Sequence, residues 1–328
     1  MKSTIILDLV GELKETRGIP QFLFCSSIEP SSMFQVRKEI LDYKKECPKS
    51  DEIDFIINSP GGSPADAYRI IRTLRNNFEK VNIIVPFWAK SAATLLSLGG
   101  SEIIMDEFGE FGPLDIQIAI QKDDSPEYDR ESALNDEYSV KLIESRSKEL
   151  YYSMYLSLYN TDDVKINKVE LSRQLFEYLS QFYKPLLSQI NPYNLGSKKR
   201  ALDIGQHYAI RVLTEYNRSL PEYNRQVLVD YLVNQCPDHG YVIDFNFISK
   251  VLKNVKLSKE ISEEYSTQLS EVSSALMDSS DFSFIGFVYS KKELEEILET
   301  QEETNQDSSL KEIKSEVKSK KEQNGVKQ

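Results

Sequence analysis

Residues 54–63 read DFIINSPGGS, and residues 86–95 read PFWAKSAATL. Each stretch combines an apolar strand, a turn of small residues and the start of a helix. The first turn contains Gly61 and Gly62, whose backbone N–H groups can face a ligand without a side chain in the way. The second turn presents the hydroxyl of Ser91 at a helix N-terminus, where partial positive charge favours a developing anion. Such donors beside a serine predict acyl-transfer chemistry, for which another part of the chain must supply a base.

The first 105 residues alternate strands with helices. Short apolar runs of strand length occupy residues 53–58, 81–86 and 102–105. A helix with one apolar face is predicted between the first two, and a short helix of small residues, 91–98, between the last two. Alternation of this kind predicts βαβ units and therefore an α/β fold with a mainly parallel sheet.

The remainder of the chain has a different character. Amphipathic helical patterns rich in Tyr, Leu, Glu and Lys run from about residue 130 to 235, and FIGFVY near residue 284 predicts a late strand. After residue 300 no apolar periodicity remains, which predicts a disordered charged tail. We therefore expect an α/β core at 1–125, a helical insertion or oligomerisation region at 126–235, a return to the core at 236–299 and the tail at 300–328.

Composition narrows the classes of function. The chain has 328 residues and a formal net charge of −12, from 52 acidic and 40 basic residues, which disfavours nucleic acid as a partner. No apolar run approaches the ~18 residues of a membrane span, and the N-terminus makes a poor signal peptide. The three cysteines have no metal-like spacing. We expect a soluble cytoplasmic protein without cofactor or metal.

NSPGGS together with AKSAATLLSLGGSEIIMDEFGEFGPLDIQ resembles the Clp protease/crotonase superfamily, and is most similar to its SDH-family (serine dehydrogenase proteinase) Clp-fold serine proteinases. The resemblance runs over residues 51–121 and resumes at CPDHGYVIDF, 236–245. It implies a ClpP/crotonase-like fold of repeated βαβ units. Carried over residue by residue, it makes Ser91 the nucleophile and assigns the oxyanion hole to the amides of Gly61, Gly62 and Ala92.

The general base is less directly implied. The Clp peptidase uses Ser-His-Asp, with the histidine soon after the serine, but the corresponding segment here contains GPLDIQ and no histidine. Its acidic residue is Asp115, whereas His239 precedes the segment resembling the place where that peptidase keeps its aspartate. We therefore hypothesise exchanged partners, with His239 as base and Asp115 as its orienter, because triads are defined by geometry and not by chain order. Lys90 is an alternative base. However, neighbouring residues at a helix start point about 100° apart, so the Lys90 side chain is poorly oriented toward Ser91.

The resemblance implies a serine peptidase that hydrolyses peptide bonds through an acyl-enzyme on Ser91. It implies a peptide or protein substrate and a homo-oligomer, and leaves open a separate ATPase partner, since no GxxxxGK[ST] motif is present. Two alternatives remain. One is a crotonase-like acyl-CoA enzyme that uses the same amides to hold an enolate, and the other is a Clp-fold scaffold that has lost its base.

Overall fold

The computed structural model describes most of the chain. The described residues are 2–114, 117–121, 128–161, 167–238, 240–279 and 281–296. Asp115 and His239 lie outside them, as does the expected tail at 300–328.

The described residues form helices and strands in the following order. The first part contains α1 (Lys2–Arg17), β1 (Gln21–Cys25), α2 (Pro30–Glu46), β2 (Glu52–Asn58), α3 (Pro64–Asn77), β3 (Lys80–Val85), β4 (Trp88–Ala89), α4 (Ala92–Ser97), β5 (Glu102–Met105) and β6 (Glu110–Phe111). The middle part contains β7 (Gln117–Gln121), β8 (Tyr128–Ser132), α5 (Ala133–Tyr159), α6 (Lys168–Leu187), α7 (Pro192–Tyr216), α8 (Glu222–Asp230) and a π-helical turn (Tyr231–Gln235). The last part contains α9 (Phe245–Ile248), β9 (Val255–Leu257), a 3₁₀ turn (Ser258–Glu260), α10 (Glu263–Met277) and β10 (Phe284–Val288).

A six-stranded sheet organises the core, with the order β10-β1-β2-β3-β5-β9. The pairs from β1 to β9 are parallel, and only β10 runs antiparallel, against β1. The expected α/β architecture with a mainly parallel sheet is confirmed. Because parallel strands end at one edge of the sheet, the turns after β2 and β3 lie side by side at their carboxyl ends.

Helices cover both faces of the sheet. One face packs against α2, α3, α4 and α7, and the other packs against α1 and α10. The strands are apolar on both sides for this reason, which explains their continuous hydrophobic runs. On the second face Ile6, Val10 and Leu13 of α1 meet Leu269 and Val272 of α10, all fully buried.

A buried polar cluster closes the amino end of the sheet, opposite the turns described above. Asp54 is fully buried and accepts two hydrogen bonds from Arg17, both of 3.0 Å. Gln21 and Asn82 donate to the same carboxylate, at 2.9 and 2.7 Å. Burial opposes the charge of Arg17, but Asp54 outweighs it and raises the pKa of the guanidinium.

Arg17 and Asp54 form a buried ion pair, and removing one of them leaves a buried charge without its partner. We expect Arg17→Ala to lower the free energy of unfolding by about 3–5 kcal/mol, measured by urea denaturation. The double variant Arg17→Met/Asp54→Leu should recover much of that loss, since neither charge is then buried. A double variant no more stable than Arg17→Ala would show that the pair is not the source of the effect.

Two features concern the flanks of the core. The N-terminal residues form helix α1, which the sequence analysis did not predict. Helices α5 to α8 are formed by described residues between 133 and 230, and β9 and β10 afterwards complete the sheet. Within the described part of the chain, none of the helices combines the length and apolar character that a bilayer span requires.

Candidate functional site

Ser91 has the most unusual backbone conformation among the described residues. It lies between β4 and α4 with φ 51° and ψ −119°, and no other described non-glycine residue has a positive φ. A sharp left-handed turn between a strand and a helix is the geometry of a nucleophile elbow, which presents a side-chain oxygen away from the backbone. Strain of this kind persists only where the surrounding structure imposes it and concentrates at functional sites.

The glycine turn after β2 packs directly against this elbow. A β-carbon placed on Gly61 would lie 2.5 Å from the Lys90 carbonyl oxygen, 2.8 Å from Ser91 Cβ and 2.9 Å from the Ala92 amide nitrogen. Gly61 has φ 96° and Gly62 has φ 142°, so both adopt conformations that favour glycine. The structure therefore places Gly61 next to Ser91 and Ala92.

The backbone amides of Gly61, Gly62 and Ala92 differ in whether they donate a hydrogen bond. The Gly61 N–H donates to Ser59 Oγ at 3.1 Å. Among the residues with described placement, the N–H groups of Gly62 and Ala92 have no hydrogen-bond acceptor. Gly62 is exposed, whereas Ala92 is buried beside the elbow. In this conformation Gly62 and Ala92 offer amides to a ligand, and the Gly61 amide must first leave Ser59.

Backbone pairing holds the two turns in register. The Lys90 N–H donates to the Ser59 carbonyl at 2.9 Å, and the Ser59 N–H donates to Trp88 at 3.0 Å. The hydroxyl oxygen of Thr94, which is fully buried, lies 2.7 Å from the Ala89 carbonyl oxygen and 2.8 Å from the Gly112 carbonyl oxygen, and its single proton is donated to one of them. These bonds tie the elbow to β2 on one side and to the segment after β6 on the other.

Lys90 forms a largely buried ion pair beside the elbow. Its ammonium group lies 2.5 Å from Glu110 Oε1 and 3.5 Å from the Phe111 carbonyl oxygen, with only 11 % of its side chain exposed. Gly112 leaves room for the lysine stem, since a β-carbon there would lie 2.5 Å from Lys90 Cδ. The lysine thus binds a carboxylate in this conformation.

The predicted partners Asp115 and His239 lie outside the described residues, but the structure describes chain close to both. Leu114, which precedes Asp115, donates its N–H to the Leu232 carbonyl at 2.7 Å. Phe111 pairs with Ile243 through two hydrogen bonds of 3.0 Å, and on its other side with Ala89. Thus β6, which precedes Asp115, pairs with β4, the strand that leads into Ser91, and Ile243, which follows His239, pairs with β6.

His207 on α7 and Tyr231 in the π-helical turn are two other ionisable groups on the neighbouring helical elements. His207 is exposed on α7. A hydrogen bond with Tyr241, together with burial, raises the pKa of Tyr231 to about 12, so its phenol stays protonated near neutral pH. No cluster of three or more His, Cys, Asp or Glu with the arrangement of a metal site occurs in the described part.

Three contributors to this site were missed at the level of sequence: Ser59, Thr94 and Glu110. The Ser59 side chain occupies an amide that the sequence analysis assigned to the oxyanion hole. The serine of NSPGGS was visible as part of the motif, but nothing in the spacing distinguishes a hydroxyl that turns back onto its own loop. The Lys90–Glu110 pair joins residues 20 positions apart, which sequence spacing does not reveal.

Residues 12–126 match a family model described as ClpP-like SDH-type serine proteinase. Two uncharacterised proteins of Methanocaldococcus jannaschii are similar to the chain. MJ0137 is 30% identical over 49% of this chain and 55% of its own length, and MJ1495 is 37% identical over 31% and 32%. The chain thus spans about half or less of the length of these relatives.

Solved structures are similar to part of this chain. The 1510-N membrane-bound stomatin-specific protease, in a mutant form, is 19% identical over 39% of this chain and 61% of its own, with a TM-score of 0.28. A mutant of ClpP1 from Listeria monocytogenes is 21% identical over 32% and 59%, with a TM-score of 0.26. The resemblance drawn from the sequence to the Clp-fold serine protease superfamily is confirmed by the family model.

Proposed function

We propose that this chain, whose residues 12–126 match the ClpP-like SDH-type serine proteinases, hydrolyses peptide bonds through an acyl-enzyme on Ser91. The observation that carries the proposal is the left-handed elbow at Ser91, packed against Gly61 and beside the open amides of Gly62 and Ala92. A nucleophile held in strain beside oriented donors is the arrangement that acyl transfer requires.

The proposed reaction assigns one role to each group. Ser91 Oγ attacks the scissile carbonyl carbon while His239 takes the hydroxyl proton, and Asp115 orients the imidazole. The amides of Gly62 and Ala92 hold the oxyanion, joined by Gly61 once its N–H leaves Ser59. Collapse of the tetrahedral intermediate releases the amine, which receives the proton from His239, and leaves an ester on Ser91. Water then attacks this ester with His239 again as base and restores the serine.

The assignment of the base has its own test. We expect His239→Ala to lower kcat by about 10⁴-fold, because the serine hydroxyl then has no proton acceptor. The control is His207→Ala, which should retain full activity because His207 lies exposed on α7. Peptide hydrolysis retained in His239→Ala and lost in Lys90→Met would transfer the role of base to the lysine.

We also propose that the helices α5 and α6 associate with a second copy of the chain. They expose an unusual number of large apolar side chains at helical spacing. These are Tyr152, Leu156 and Tyr159 on α5 and Tyr178, Phe182 and Leu186 on α6, each between 45% and 63% exposed. An exposed apolar face of this extent marks a protein interaction site in a chain that remains soluble.

The double variant Leu156→Glu/Phe182→Glu should convert the oligomer into a 37.8 kDa monomer, since each carboxylate would have to be buried on association. Size-exclusion chromatography with light scattering measures the change. Met277→Glu, on an exposed apolar position of α10, is the matched control and should leave the mass unaltered. An unchanged oligomer in the double variant would place the contact elsewhere.

The two rival functions predict different reactivity. A crotonase-like acyl-CoA enzyme would bind coenzyme A and ignore a fluorophosphonate probe, because it needs the amides and not the serine. A scaffold without a base would neither hydrolyse any peptide nor label with the probe, while remaining a folded oligomer. Fluorophosphonate labelling at Ser91 would support the peptidase and contradict both rivals.

A further inference from the structure

The outer surface of helices α2 and α3 is basic, although the chain as a whole carries a net charge of −12. Two adjoining grooves, of about 580 and 560 Å³, share Phe34 and Arg37 in their walls. We call this surface the α2/α3 groove. Its charged lining residues are six cations and one carboxylate: Arg37, Lys38, Lys44, Lys45, Arg69, Arg72 and Asp42.

Some of these charged side chains form ion pairs within the protein and others do not. Asp42 pairs with Lys45 at 2.7 Å, and Arg69 pairs with the buried Asp66 at 2.6 Å. By contrast, no carboxylate of the described residues pairs with the other two arginines of the groove, Arg37 and Arg72. Both are exposed, so two guanidinium groups face solvent across one groove.

Apolar side chains lie between these cations. Phe34 is 59% exposed and Leu41 is 40% exposed on the outward face of α2, and Met33 forms part of the groove wall. An exposed phenylalanine beside unpaired guanidinium groups can bind an apolar side chain and carboxylates together, because the arginine fork matches a carboxylate in a bidentate manner. Residues of both helices line the second groove, which offers room for an extended peptide.

One end of the groove lies close in sequence to a residue that binds the glycine turn. It includes Pro30, the first residue of α2, two positions after Ile28. Ile28 binds the turn on both sides, since its N–H donates to Gly61 at 2.7 Å and its carbonyl accepts from Ser63 at 2.8 Å. A peptide in the groove would therefore end close to the turn that faces Ser91.

We propose that the α2/α3 groove binds an acidic peptide segment that carries an apolar side chain, with its carboxylates on Arg37 and Arg72 and its apolar group on Phe34. Delivery of that segment to Ser91 rests on the proposed peptidase function, whereas the binding itself does not. The groove acts as a recruitment site that favours acidic segments of substrate proteins.

Binding is measured on the full chain carrying Ser91→Ala, so that no peptide is consumed. The probe is a fluorescein-labelled synthetic peptide of Glu and Asp with one Phe, followed by fluorescence anisotropy. Arg37→Glu/Arg72→Glu should raise its dissociation constant about 10-fold or more, as expected for lost charge-assisted hydrogen bonds. Added salt should weaken binding to the unmodified groove and have little effect on the charge-reversed variant.

Three controls make the result specific. Lys250→Glu/Lys253→Glu changes the net charge equally at exposed positions outside the groove and should leave the dissociation constant unchanged. Arg37→Gln/Arg72→Gln removes the cations without adding carboxylates, and an unchanged melting temperature shows that it is folded. Phe34→Ala should weaken the Phe-containing peptide several-fold and leave a peptide with Ala in place of Phe unaffected.

The outcomes separate this proposal from others. Equal affinity of the Arg37→Glu/Arg72→Glu variant and the parent would overturn it. Vesicles of phosphatidylcholine and phosphatidylserine, or a single-stranded oligonucleotide, that bind through these arginines while the acidic peptide does not would also overturn it. Because no step requires hydrolysis, a chain that binds the peptide but never labels with fluorophosphonate would sustain the groove and refute only the peptidase.

Discussion

Ser91→Ala is expected to abolish fluorophosphonate labelling and to lower peptide hydrolysis by about 10⁴–10⁶-fold, because the nucleophile of the acyl-enzyme is lost. Labelling is read by mass spectrometry of the tryptic peptide, and hydrolysis by a fluorogenic peptide substrate. Ser188→Ala is the control, since Ser188 is exposed at the end of α6 and bonds only within its own turn. Undiminished hydrolysis in Ser91→Ala would end the peptidase proposal.

Replacement of Ser91 by glycine is expected to abolish activity as alanine does, but to give a more stable protein than Ser91→Ala. Ser91 holds φ 51°, which costs a residue with a β-carbon roughly 1–2 kcal/mol. Ser91→Gly should therefore be inactive and yet more stable to urea than Ser91→Ala. If the two variants unfold at the same urea concentration, the backbone at Ser91 is not strained, and one of the signs of a nucleophile elbow disappears.

Gly62→Ala is expected to impair folding and activity together. A β-carbon on Gly62 would collide with the carbonyl of Ile28, a rigid backbone group, at a φ of 142°. The strained conformation and the collision together should lower the free energy of unfolding by about 2–4 kcal/mol and eliminate hydrolysis. Urea denaturation and peptide turnover measure the two effects.

Gly196 provides the matched control for this substitution. It lies in α7, where an added β-carbon would have no atom within 4 Å. Gly196→Ala should raise the free energy of unfolding by about 0.4–1 kcal/mol, because alanine restricts the unfolded chain and suits a helix. A Gly62→Ala variant as stable as the parent would show that the turn after β2 can open away from Ile28.

The central strands and the helix after Ser91 were predictable from sequence because each depends on local pattern. The apolar runs at 53–58, 81–86 and 102–105 correspond within one residue to β2, β3 and β5. Buried parallel strands are apolar on both faces, so their composition alone marks them. The predicted helix at 91–98 is α4, shorter by one residue at each end.

Helix α1 was not predicted because its stability comes from distant parts of the chain. Its apolar residues recur at helical spacing, but Gly11 interrupts the pattern and lowers helix propensity. In the fold Gly11 allows the chain near Tyr289 to approach, since a β-carbon there would lie 3.1 Å from the Tyr289 carbonyl oxygen. A contact across the whole length of the chain decides this element, and local sequence carries little sign of it.

The candidate site likewise has features that local sequence indicates and features that it does not. Motif and turn chemistry indicated that Gly61, Gly62, Ser91 and Ala92 belong together, and the structure places Gly61 against Ser91 and Ala92. The left-handed backbone of Ser91 and the bond from Gly61 to Ser59 depend on how two loops meet in space. The roles of His239 and Asp115 remain predictions.

The two outermost strands of the sheet bear on how copies of the chain can assemble. At one margin β9 has only three residues, and at the other Gln35 of α2 already donates to the Ile285 carbonyl of β10. Little unpaired main chain is thus offered for a neighbouring molecule to extend the ladder. We expect any assembly to form through contacts between helices, with the six-stranded sheet of each protomer remaining separate.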